Sequence, residues 1–165
     1  MYMLNPGEVS VQVPTIGFVV EQTLYRSMNV MSMDVGGRCP MRPLFRHYYK
    51  DTSGLIYVLD INEKDNWYVG RQKDELERLL AEPDLIGLPL LILGNKADLP
   101  AAMSQEELEN YVDMRAIQKT RPVSVRRVSI MSYKTDPEPI NSSFKWLRNQ
   151  FSTESKKPLS TPAVA

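Results

Sequence analysis

Residues 88–100 read LPLLILGNKADLP. Leu90, Leu91, Ile92 and Leu93 run without a polar interruption and stop at Gly94. A run this short has the length of a strand rather than a helix. Its unbroken apolar character, in place of alternation, marks a strand covered on both faces, as parallel strands in α/β sheets are. The polar turn Asn95-Lys96-Ala97-Asp98 follows at once. Open α/β sheets hold their ligands beyond the carboxyl ends of the strands, so the same stretch points to the fold and to a place for a site.

Working outward, residues 55–59 (LIYVL) repeat the continuous apolar pattern, and residues 123–130 form a third strand-length run. Helical patterns lie between them. Val69, Leu76, Leu79 and Leu80 fall on one stripe within residues 65–82, with Lys73 and Glu77 paired at i,i+4 on the outside. Ser104 followed by Glu107 is a capping box opening a short helix through Leu108, Tyr111 and Val112. Ile140, Phe144, Leu147 and Phe151 repeat as one face of a closing helix, whose first turn accommodates Pro137 and Pro139. Before all of these, residues 17–26 and 28–34 are two extended segments joined by a tight connection, an antiparallel hairpin. The alternation of strand and helix thereafter predicts an α/β protein with a mostly parallel sheet and helices on both faces.

Composition narrows the function. A chain of 165 residues with 42% hydrophobic and 24% charged residues is an ordinary globular protein of one domain. Lys plus Arg and Asp plus Glu each number 20, so the formal charge is zero and a broad basic field for nucleic acid is absent. The single cysteine, Cys39, excludes an internal disulfide, and the single histidine, His47, excludes sites that need two. Arg115, Lys119, Arg121, Arg126 and Arg127 are close in sequence, and solvated charges are the expectation for them. The longest apolar runs, residues 54–59 and 88–94, fall well short of the ~20 residues that span a bilayer. Met1 begins no secretory signal, and position 2 is Tyr2 rather than the glycine of a myristoylation site. A cytoplasmic protein with no direct membrane anchor is expected. Its tail, residues 152–165 with the Lys156-Lys157 pair, lacks periodicity and is expected to be disordered.

Three segments carry residue types suited to nucleotide chemistry. A carboxylate such as Asp98 accepts two hydrogen bonds from guanine, at N1–H and the exocyclic amine, whereas adenine offers no such donor pair. Asn95 can tether loops and base, and the Lys96 stem can lie over the ring. A polar turn after a strand is the simpler reading of those four residues alone. Asp34-Val35-Gly36-Gly37 also ends an extended segment. Asp34 suits Mg²⁺ as a hard oxygen donor, and Gly37 lets a backbone N–H approach a terminal phosphate; a glycine turn with a capping aspartate is the alternative. Thr15 offers a hydroxyl before the first strand, as a Mg²⁺ ligand or as a loop threonine.

The wording of five stretches goes further: VPTIGFVVE at residues 13–21, DVGG at 34–37, RPLFRHYY at 42–49, GLIYVLD at 54–60 and GNKADLPAAMS at 94–104. On these the chain resembles the ADP-ribosylation factor and factor-like branch of small GTPases, from near Tyr2 to about Gln150. The resemblance implies a GTP/GDP switch with Mg²⁺ that recruits effector and regulator proteins, works in vesicle or membrane trafficking, and lies in the cytoplasm or at the periphery of internal membranes. It makes Thr15 the magnesium ligand of the first switch, and Asp34 with Gly37 the start of the second. Residues 17–33 become the hairpin between the switches, and Asn95, Lys96 and Asp98 the readers of the base. Phe18 and Tyr48 match two of three aromatics on the effector surface, and Met33 replaces the third.

Beyond Met33, the sequence departs from that family in three places, one of them Ser132-Tyr133-Lys134-Thr135, which matches the family's third base-contacting loop poorly. None of its eight glycines is followed by another five positions later, so G-x-x-x-x-G-K-[ST] occurs nowhere in it. Residues 1–151 are therefore expected to be an incomplete small-GTPase-like domain, without the first strand and phosphate-binding loop, with open strand edges and weak nucleotide binding. Arg38 stands where relatives carry the catalytic glutamine that orients the attacking water, and arginine has no acceptor with which to hold one. Whether this chain hydrolyses GTP stays open on these residues. The alternative to a nucleotide switch is a nucleotide-free interaction module that keeps the hairpin's effector surface.

Overall fold

The structure is a computed structural model, and it describes residues 17–25, 28–35, 49–62 and 66–154. The chain divides into two compact units, Met1–Tyr49 and Lys50–Ala165.

The first unit contains an antiparallel hairpin, β1 (Phe18–Tyr25) and β2 (Met28–Val35), in the register Phe18↔Val35 through Tyr25↔Met28. Because side chains alternate along a strand, this register sorts the hairpin into two faces. Phe18, Val20, Gln22 and Leu24 share one face with Val35, Met33, Met31 and Asn29. Val19, Glu21, Thr23 and Tyr25 share the other with Asp34, Ser32 and Val30. Thr23 and Tyr25 are buried, whereas Phe18, Val20, Leu24 and Met31 are exposed.

The second unit is built on a three-stranded parallel sheet of order β3-β4-β5, with β3 at Leu55–Asp60, β4 at Leu90–Asn95 and β5 at Val123–Arg127. β4 is central. It pairs with β3 from Leu55↔Leu90 to Asp60↔Asn95 and with β5 from Leu90↔Val123 to Gly94↔Arg127. Leu90, Leu91 and Ile92 are fully buried, as the continuous apolar run requires. Each such side chain is worth about 1.5–3 kcal/mol of burial.

Helices cover both faces of this sheet. On one face Leu90, Ile92, Leu59 and Val125 pack with Leu76 of α1 (Asn66–Leu80), Leu108 of α2 (Gln105–Tyr111) and Ile117 of α3 (Met114–Gln118). On the other, α4 (Glu138–Glu154) lies against β4 and β5 and buries Ile140 and Leu147. That helix takes in residues 152–154, the first three of the expected tail, and residues 155–165 lie outside the described ones. No helix among the described residues is long and apolar enough to cross a membrane.

Local chemistry explains the helix ends. Ser104 and Glu107 form the expected capping box, with Ser104 N–H donating to Glu107 Oε2 (2.7 Å) and Glu107 N–H donating to Ser104 Oγ (3.2 Å). α3 is too short to announce itself by periodicity. It is started by Asp113, whose left-handed backbone (φ 51°) turns the chain while its carboxylate accepts from Ala116 N–H.

Two findings differ from the sequence reading. β3 is covered on one face only: Ile56 and Val58 are 41% and 55% exposed, and the contacts of α4 with the sheet concentrate on β4 and β5. Arg121 is not solvated but 6% exposed. Its guanidinium donates to Leu85 O (3.0 Å) and Leu80 O (3.2 Å), satisfying carbonyls at the end of α1 and in the 3₁₀ turn Pro83–Leu85. Burial lowers its pKa from the ordinary arginine value, yet an arginine remains charged across the physiological range.

Candidate functional site

Three parallel strands bring their carboxyl ends to one rim, and the loops leaving that rim are bonded to one another. β4 ends at Asn95, directly opposite Asp60 at the end of β3. Ile61 N–H donates to Asn95 O (3.1 Å), and Met103 N–H, at the far end of the β4–α2 loop, donates to Ile61 O (2.9 Å). From the third strand, Val128 N–H donates to Gly94 O (2.8 Å), and Ala97 N–H donates to Val128 O (3.1 Å). Backbone bonds thus lock the loop 95–103 to both neighbours.

Side chains add to this. Asn95 Oδ1 accepts from Ile130 N–H (3.1 Å), so its amide ties the loop after β4 to the loop after β5. The acceptor is thereby used, and the Asn95 NH₂ is left to donate toward a ligand. Lys96 takes the left-handed conformation (φ 70°), which few residues with a Cβ adopt. Its ammonium donates to Asp60 Oδ2 at 2.5 Å, with the two side chains 51% and 32% exposed. Asp98 is exposed and accepts no hydrogen bond from the described residues. A fixed amide donor, a lysine stem lying along the rim and an open carboxylate stand within four residues. That is a donor and acceptor set for a flat heterocycle with an N–H pair at its edge.

The close approach of elements here requires glycine at position 94. A Cβ on Gly94 would stand 2.6 Å from Leu108 Cδ2 and 2.7 Å from Ile61 Cγ2. The rim therefore rests directly on α2 and on the residue after β3, which sets the height of the loop.

The remaining site residues expected from sequence divide into two groups. Asp34 is exposed near the end of β2, and Phe18 and Met33 share the hairpin's opposite face. Thr15, Gly37, Arg38 and Tyr48 lie outside the described residues. For Mg²⁺, the described residues contain no group of three His, Cys, Asp or Glu side chains able to hold a cation. This donor set fits Mg²⁺ only as that ion is held beside nucleotides, by one or two protein oxygens, phosphates and water. Asp34 is of the right chemistry to be one such oxygen.

Three contributors to the rim were not legible in sequence. Asp60 closes the GLIYVLD stretch, but only the β3/β4 register puts it opposite Asn95. The segment that meets the base-reading candidate is residues 128–130, ahead of the Ser132-Tyr133-Lys134-Thr135 stretch. Arg127 donates from Nη2 to Ala97 O (3.4 Å), a bracing contact inside what the sequence presents as a basic cluster.

A model of the ADP-ribosylation factor family matches residues 1–151. Among solved structures, the Arl6 (BBS3) small GTPase of Trypanosoma brucei, determined with the nucleotide analogue GppNp bound, superposes with a TM-score of 0.76 at 23% identity. The match covers 92% of this chain and 88% of that one, and at this identity it establishes the shared small-GTPase fold.

Proposed function

Because the chain belongs to the ADP-ribosylation factor family of GTP-binding switches, we propose that its rim at the ends of β3, β4 and β5 reads the base of a guanine nucleotide. Asp98 accepts from guanine N1–H and the exocyclic amine, Asn95 donates from its free NH₂, and the Lys96 stem forms one wall. The observation that carries this is the Asn95–Ile130 bond, which ties two loops of the rim together beside the exposed Asp98 carboxylate. Such preorganisation keeps the cost of binding low.

The phosphate end is weaker. No G-x-x-x-x-G-K-[ST] occurs within these 165 residues, so the backbone cradle that holds most phosphate charge in such switches is not encoded in them. The contacts these residues supply to a nucleotide therefore centre on the base. Thr15 and Asp34 serve as Mg²⁺ ligands beside the phosphates, and Gly37 contacts the terminal one. Mg²⁺ supplies charge neutralisation there when bound. Arg38, with donors only, leaves hydrolysis slow, by roughly 100-fold relative to an Arg38→Gln variant if one positioning contact is lost. Single-turnover hydrolysis compares the two.

The apolar hairpin face of Phe18, Val20, Leu24, Met31 and Met33 is the surface for effector or regulator proteins, in trafficking at the cytoplasmic periphery of internal membranes. Its exposure also favours a second reading, a nucleotide-free interaction module. Titration of the purified chain with GDP and with ADP separates them. A guanine preference abolished by Asp98→Ala supports the switch. Equal, negligible affinity for both nucleotides supports the module.

A further inference from the structure

Asp60 is held more firmly than a surface carboxylate needs to be. Its N–H donates to Gln72 Oε1 of α1 (3.1 Å), its Oδ1 accepts from Asn62 N–H (3.1 Å), and its Oδ2 accepts from the Lys96 ammonium (2.5 Å). α1 is itself fastened to β3, since the Tyr57 hydroxyl donates to Gln72 O (2.8 Å). Lys96, in turn, is fixed at its backbone: Leu99 N–H donates to Lys96 O (3.1 Å), and the next residue bonds to Val128. The butyl stem is thus pinned at both ends across the rim, from the left-handed turn to the end of β3.

A half-exposed ion pair adds little to stability, so stability does not account for this arrangement. Its consequence is directional. A free lysine stem samples many rotamers and must be ordered when a ligand lands on it. We propose that Asp60 is a positioning residue for base binding, latching the Lys96 ammonium so that the stem is a preformed wall of the base pocket. This rests on the guanine-nucleotide reading above. It assigns Asp60 a role that is not selective for one base, because a stem packs against a ring face and does not read the ring's edge.

The test uses the full chain in three forms, wild type, Asp60→Asn and Asp60→Glu, with circular dichroism to confirm equal folding. ¹⁵N relaxation of the Lys96 ammonium is measured without nucleotide, and GDP and ADP affinities are measured by calorimetry. The latch predicts an ordered ammonium in wild type and a mobile one in Asp60→Asn. It also predicts a loss of GDP affinity of about 3- to 10-fold, the effect of leaving one long side chain to be ordered on binding. The ratio of GDP to ADP affinity stays unchanged, and Asp60→Glu recovers part of the loss. An ammonium equally mobile in wild type and Asp60→Asn, with nucleotide still bound, overturns the latch and leaves the base reading intact. An ordered ammonium that Asp60→Asn releases without changing GDP affinity overturns the positioning role. Absence of any nucleotide binding by wild type overturns the base reading, and the positioning role with it.

Discussion

Gly94 is the residue on which the rim turns. Its missing Cβ lets Leu108 and Ile61 close beneath the β4–α2 loop, at distances a methyl group does not tolerate. Leu108 is fully buried and Ile61 nearly so, so neither has room to yield. Gly94→Ala is expected to lower stability by about 1–3 kcal/mol through overpacking, and urea unfolding measures it. The neighbouring Asn95, Lys96 and Asp98 were legible in the sequence, because three polar residues closing an apolar strand are a local pattern. Asp60 was not, because its partnership with Lys96, 36 residues away in sequence, arises from pairing between strands. Arg121 was misread for a related reason. Nearness to other basic residues says nothing about whether a guanidinium reaches carbonyls of another element.

Among the elements, α1 depends most on distant help. The carbonyls of Glu77, Arg78 and Leu79 are met by Ala81 and Glu82 N–H, but the last one, on Leu80, accepts from Arg121, which also holds the 3₁₀ turn leading into β4. Arg121→Met keeps the stem's volume and removes both bonds. It is expected to cost about 2 kcal/mol, from one buried and one half-buried carbonyl bond losing a charged donor, read as a shift in the denaturation midpoint. The capping box of α2 is the contrasting case, wholly local and therefore visible as Ser104 and Glu107 in the sequence. Ser104→Ala should cost about 1 kcal/mol by the same measurement. The hairpin was equally legible from its extended segments. α3 was not, since its five residues span barely more than one turn and its start depends on the left-handed Asp113.

At the scale of the whole molecule, the family's fold is present, and one margin of its parallel sheet stays open among the described residues. Among the described residues β3 pairs with β4 alone, and its outer face carries Ile56 and Val58. Residues 55–59 include neither a charge nor a proline to discourage a further strand. The isolated chain is expected to self-associate at roughly 100 μM, a range in which unpaired edges cause association. Val58→Lys should shift it toward monomer in light scattering coupled to size exclusion. The sequence reading had β3 covered on both faces, because an apolar run reports what a strand needs and not how far a helix reaches.

The central claim is that Asp98 reads the base. It is tested most directly by competition between guanine and xanthine nucleotides on the full chain, for wild type and Asp98→Asn. Xanthine carries a carbonyl where guanine has its exocyclic amine, and an asparagine amide offers a donor to that carbonyl while accepting from N1–H. The account predicts that wild type prefers GDP over XDP and that Asp98→Asn reverses the order. An unchanged order of preference in the variant, with nucleotide still bound, would contradict it and remove the base-reading role from the Asn95–Asp98 turn.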